Sequence, residues 1–123
     1  MRKNAISWFD LYVNDLARSQ AFYEQILQIQ MIPAEDESYQ MVIFPCDYDN
    51  GIGGALFKME GCKPGPGGSV VYLNVDGDLD QVLARIPAAG GKVVQERLDI
   101  SPHGFVGMFE DLDGNVVGLH STS

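Results

Sequence analysis

The feature that most constrains this chain is that it is written twice. Asp47-Tyr48-Asp49-Asn50-Gly51-Ile52-Gly53-Gly54 is a partial copy of Asp111-Leu112-Asp113-Gly114-Asn115-Val116-Val117-Gly118, 64 positions later. Leu11 and Leu73 are 62 apart, and Leu16 and Leu79 are 63 apart. A repeat at this interval in 123 residues predicts two copies of one small unit. Asp113-Gly114 sits between apolar stretches and predicts a two-residue hairpin turn with φ > 0 at both positions.

The unit can be read from its periodicities. Residues 5–13 alternate, with Phe9, Leu11 and Val13 on one face and Trp8, Asp10 and Tyr12 on the other, which predicts a strand. Asn14-Asp15 reads as a helix N-cap, and Leu16, Phe22, Tyr23, Ile26 and Leu27 supply the apolar stripe of a helix to about residue 28. A short strand is expected over Ile29 to Pro33 and an acidic loop over Ala34 to Ser38. Further strands are expected over Gln40 to Cys46 and Ile52 to Met59.

Gly61 to Gly68 is a linker by composition, or equally a flap beside a site. The plan then restarts. Val70 to Asp76 alternates, with Val71, Leu73 and Val75 opposed to Val70, Tyr72 and Asn74. Asp78 is the next N-cap candidate. Leu79, Val82, Leu83 and Ile86 form a helical stripe that Gly90-Gly91 ends. Strands are expected over Lys92 to Arg97, Phe105 to Glu110 and Val116 to Leu119. The fold expected is α+β: two tandem βαβββ modules, about 5–60 and 69–121, related by a pseudo-twofold, with a curved mixed sheet around a cleft.

Net charge is −9 and the pI is near 4.4, which argues against nucleic acid and anionic membrane as partners and favours a cationic ligand. The bland reading of the same acidity is that it only keeps the protein soluble. Cys46 and Cys62 are the only cysteines and form no CxxC pattern. The N-terminal residues reach a charge before any long apolar run, so a cytoplasmic protein is expected.

The repeated plan, the segment Asn14-Asp15-Leu16-Ala17-Arg18-Ser19-Gln20-Ala21-Phe22-Tyr23 and the closing Asp111 to His120 resemble the vicinal oxygen chelate superfamily. That group includes glyoxalase I, extradiol dioxygenases, and fosfomycin- and bleomycin-resistance proteins. The resemblance runs from Ile6 to His120 and implies the two-module fold. It also implies a divalent metal held from the first and last strands of each module. The matching positions here are Trp8, Val70, Gly54 and Gly118, and none of these side chains suits a divalent ion. No metal and no cofactor are expected. His103 and His120 are the only histidines. Asp111-x-Asp113-x-Asn115 superficially matches a calcium loop, but Val116 and Thr122 stand where Gly and Glu belong.

With the metal positions empty of donors, the expected cleft lining is Trp8, Asp10, Tyr12, Phe44, Tyr72, Asn74, Met108, Glu110 and His120, around Gly54 and Gly118. Aromatic walls with a few polar groups suit a flat organic molecule, and the acidic field would favour a cation. The same aromatics also suit filling a vacant metal cavity or packing in a subunit interface, and Asp10 suits an ion pair with Lys58 across the sheet. Three readings follow: a metal-independent small-molecule binder of the bleomycin-resistance type, a glyoxalase-like lyase or dioxygenase with a relocated metal or none, or a non-catalytic partner or sensor subunit. The resemblance implies a homodimer in each case.

Overall fold

The computed structural model describes residues 1–2, 4–37, 39–67 and 69–123, and the side chains of all of these except Glu35 and Asp36. Ten elements follow one another: β1 (Trp8–Tyr12), α1 (Leu16–Leu27), β2 (Ile32–Asp36), β3 (Tyr39–Ile43), β4 (Gly53–Lys58), β5 (Tyr72–Asn74), α2 (Leu79–Ala89), β6 (Lys92–Asp99), β7 (Phe105–Glu110) and β8 (Val116–Ser121). They build two four-stranded mixed sheets of equivalent order, β1-β4-β3-β2 and β5-β8-β7-β6. In each, the first strand lies parallel to the fourth because a helix carries the chain across one face. This is the expected α+β arrangement of two βαβββ units.

Both helices form where the apolar stripes fall. In α1 the Asp15 carboxylate caps the first turn by accepting from the Arg18 N–H at 3.1 Å, and Phe22, Tyr23 and Ile26 are buried. Gln28 ends the helix in the left-handed region, φ 56°, and its side chain returns to the Gln25 carbonyl at 2.7 Å. Asp78 occupies the N-cap position of α2 but gives no side-chain bond to the first amides. Its carboxylate lies 3.4 Å from Arg85 instead.

Several boundaries differ from expectation: β3 ends at Ile43 rather than Cys46, β5 covers only Tyr72–Asn74, and further differences fall at β2, at β6 and in the β7–β8 turn. The strand expected over 29–33 runs over Ile32–Asp36, where part of a loop was expected; Ser38, the end of that loop, lies outside the described residues. β2 is an edge strand paired only with β3, from Ile32↔Ile43 to Asp36↔Tyr39. β6 extends to Asp99 with two register shifts against β7, as edge strands tolerate. The turn between β7 and β8 is a longer loop, in which only Gly114 takes a positive φ (81°); Asp113 does not.

One apolar core joins the two units. The helix-facing residues of the first sheet (Leu11, Val42, Phe44, Leu56) and of the second (Leu73, Phe109, Val117, Leu119) meet α1 and α2 between them. Tyr23 is the hinge of this packing, with ring centroids 5.6 Å from Phe44 and 6.2 Å from Phe109. Each fully buried large apolar side chain contributes about 1.5–3 kcal/mol relative to exposure. Arg85 of α2 adds a bond to the Ile26 carbonyl at the end of α1, 3.0 Å.

Candidate functional site

The open face of each sheet lies opposite the helices. On β1 the exposed residues are Trp8, Asp10 and Tyr12, at 37% exposure for Trp8 and 38% for Tyr12. The Trp8 indole N–H donates to Asp10 Oδ1 at 2.9 Å. This fixes the indole plane and replaces the expected pairing of Asp10 with Lys58, which lies in register with Gln40. Tyr12 meets Phe57 edge-on at 6.4 Å, and Phe57 stacks on Tyr39 at 6.0 Å, making an aromatic row across three strands. A hydrogen bond with the Cys62 thiol pushes the Tyr12 phenol above its usual range.

On the second sheet Tyr72 and Asn74 are exposed. The Tyr72 ring lies flush on Gly118, where an added Cβ would meet a ring carbon at 2.4 Å. Met108 is in register with Gly118, Glu110 with Val116, and His120 with Asn74, so all of these share the open face. His120 donates from Nε2 to the His103 carbonyl at 2.8 Å.

Two expected lining residues are on the wrong side. Phe44 is 7% exposed, with its ring 5.6 Å from Phe9 in the core. Gly54 is in register with Phe9, and a Cβ there would lie 2.2 Å from the Phe9 ring. Leu56, two residues on and on the same side of the strand, is fully buried. A strand reverses side with every residue, so a one-residue difference between the copies after the turn puts Gly54 on the helix side while Gly118 faces outward. The equivalent bonds Val13 N–H to Phe57 O and Val75 N–H to His120 O set the true correspondence. Through the registers Asp10↔Ala55 and Tyr72↔Gly118, the counterpart of Gly118 is Ala55.

Nor do the two open faces enclose a common interior. No strand of one sheet pairs with a strand of the other among the described residues. An open pocket of about 380 Å³ lies where the linker between β4 and β5 passes beside β1, with Asp10, Tyr12, Lys63, Pro64, Gly65 and Asn115 in its wall. Asn115 builds that wall: its Nδ2 donates to the Tyr12 carbonyl at 2.8 Å, and its Oδ1 accepts the Gly65 N–H at 2.9 Å. Asp111 in turn accepts the N–H groups of Asp113 and Asn115, both at 2.9 Å, and the Tyr23 hydroxyl at 2.7 Å. Asp113 reaches Ser19 Oγ at 3.0 Å and the Asn14 N–H at 3.2 Å. The two carboxylates belong to the turn and also tie the units together, a duty that the spacing within the turn does not announce. The signal was a difference between the copies: the first turn has Asn-Gly where the second has Gly-Asn.

Residues 5–119 match the sequence family described as the Glyoxalase/Bleomycin resistance protein/Dioxygenase superfamily. The chain belongs to that superfamily. No curated protein matches it. Among solved structures, the chain is similar to a hypothetical protein, SA1046, from S. aureus: 27% identity, TM-score 0.69, covering 98% of this chain and 99% of that one. A glyoxalase/bleomycin resistance protein from Albidiferax ferrireducens T118 shares 20% identity at TM-score 0.70, over 96% of this chain and 98% of that one. The fosfomycin resistance protein FosX from Listeria monocytogenes shares 18% identity at TM-score 0.67, over 99% and 94%. The last two likenesses establish the fold alone.

The superfamily resemblance raises the question of a metal, and the residues present do not fit one. The strand positions in question carry Trp8, Val70, Ala55 and Gly118 once the register is corrected. The indole N–H of Trp8 is a donor without a free lone pair, and the rest carry no nitrogen or oxygen. Among the described residues no three His, Cys, Asp or Glu side chains gather into a metal-binding group. Nor is any helix among them long and apolar enough to cross a membrane.

Proposed function

We propose that this superfamily member is a small-molecule binding protein that takes a flat organic cation on the open face of its first sheet, independently of the usual metal. The observation that carries this reading is the Trp8–Asp10 hydrogen bond at 2.9 Å. It holds an exposed indole beside a carboxylate, so one side of the ligand stacks while its charge is met by Asp10. Tyr12 and the linker pocket extend the surface. The net charge of −9 concentrates cations near it. Tyr72, Asn74, Met108, Glu110, Gly118 and His120 form the corresponding surface of the second sheet in this reading. The working form is a cytoplasmic homodimer, with modules about 5–60 and 69–121.

The chain has one tryptophan, so its emission reports the site directly. Titration with N-methylquinolinium is expected to quench Trp8 with one-to-one stoichiometry, and neutral quinoline at pH 8 is expected to bind at least about tenfold more weakly. By calorimetry, Trp8→Ala is expected to weaken binding at least about tenfold while the melting temperature stays within a few degrees, because the side chain is partly exposed. A large loss of melting temperature with unchanged affinity would show that Trp8 is packing and not a binding residue.

A further inference from the structure

The first Asp-rich turn is folded like the second but does different work. Asp47 caps it by accepting the Asp49 N–H at 3.1 Å and the Asn50 side-chain amide at 3.0 Å, as Asp111 caps its own turn. The next residue departs from the copy. Leu112 is partly buried against the core beside Gly90. Tyr48, in the equivalent position, remains 57% exposed and lies over Gly53.

Gly53 is also in register with Trp8. A Cβ at Gly53 would lie 2.7 Å from the Tyr48 ring, 3.1 Å from the Trp8 ring and 3.1 Å from Cys46 Sγ. Two aromatic rings therefore converge on one bare point of backbone, with a thiol beside them, and only glycine leaves room for both. Asp10 stands next along β1 on the same face. One of its oxygens accepts the indole N–H, and it joins no ion pair among the described residues.

We propose that the Trp8–Tyr48–Asp10 corner above Gly53 is a binding site for a quaternary or methylated ammonium group. Such a group is large, weakly hydrated and carries its charge on methyls, which makes aromatic faces its natural partners. Asp10 supplies the countercharge without needing an N–H to bond. The second module has no equivalent, because Val70 and Val116 stand in the places of Trp8 and Gly53. Each chain accordingly holds one such site. This inference rests on the reading of the first sheet's open face as the binding face, and it names the head group that the face selects.

The test is calorimetry of the full chain with choline and with its neutral isostere, 3,3-dimethyl-1-butanol. Choline is expected to bind once per chain and at least about tenfold more tightly than the isostere. Tyr48→Ala is expected to remove at least about tenfold of the choline affinity with little change in melting temperature, since the ring is mostly exposed. Gly53→Ala, which pushes the rings apart, is expected to do the same, and Tyr48→Phe to retain binding. Equal affinity for choline and the isostere, no saturable choline binding, or an unaffected Tyr48→Ala variant would each overturn the proposal. If N-methylquinolinium still binds while choline does not, the ammonium corner alone is lost; if neither binds, the broader reading falls with it.

Discussion

Tyr23 joins the two units through both its ring and its hydroxyl. Its ring is fully buried between Phe22, Phe44 and Phe109, and its hydroxyl donates to Asp111 Oδ2 at 2.7 Å. Burial, reinforced by the Asp111 charge, pushes the phenol well above its usual range. The folded protein thus favours the protonated phenol more than the unfolded chain does. That contribution is fully present below about pH 10, the unfolded value, and is lost as pH rises toward the folded one. Tyr23→Phe is expected to cost about 1–3 kcal/mol, because Asp111 loses one buried donor and keeps its others. Spectrophotometric titration should show one tyrosine of the wild type ionising only with alkaline unfolding, and that step should vanish in the variant. A full complement of freely titrating tyrosines in the folded protein would contradict this assignment.

At the scale of elements, the β7–β8 loop and the linker act together. Asn115 holds the linker at Gly65 and β1 at Tyr12, so the wall of the pocket depends on one side chain. Asn115→Ala removes these bonds and one to Asp111, with an expected loss of about 1–3 kcal/mol. The more specific expectation is local. Cleavage by the glutamyl endopeptidase Glu-C after Glu60, at the exposed start of the linker, should accelerate at least about tenfold under conditions where the variant remains folded, since local opening no longer breaks the Asn115 bonds. Cleavage that merely follows global unfolding would show that Asn115 does not hold the linker. The repeat is thus asymmetric in use: one turn clasps the two units, while its copy at 47–54 carries Tyr48 onto the open face.

At the scale of the whole molecule, a chain of net charge −9 responds to acid through carboxylates that folding holds ionised. Asn50 holds Asp47 below its usual range, the Thr122 hydroxyl holds Asp76, and the Ser101 hydroxyl holds Asp99. Their folded pKa values lie below the unfolded ones, so their contribution is present above about pH 4 and is lost as pH falls through the folded values. The melting temperature is therefore expected to fall from pH 5 toward pH 2. Asp76→Asn, which releases the Thr122 clasp, should flatten part of that slope; an unchanged profile would show that Asp76 contributes nothing to acid stability.

The sequence by itself determined the two-unit plan, both helices, the parity of β1 and β5, and the lack of metal-ligating side chains at Trp8, Val70 and Gly118. Those features are local: an alternation of period two or a stripe at three and four residues is written into neighbouring positions. Tertiary structure alone decided that Phe44 and Gly54 face the helices, because a strand's side is set by its register with a partner far along the chain, here Phe9 against Gly54. It also decided that Asp111, Asp113 and Asn115 bridge the units and that Tyr48 and Trp8 meet over Gly53. Each of these depends on contacts between segments distant in sequence, and spacing along one segment carries no record of the other segment that will lie against it.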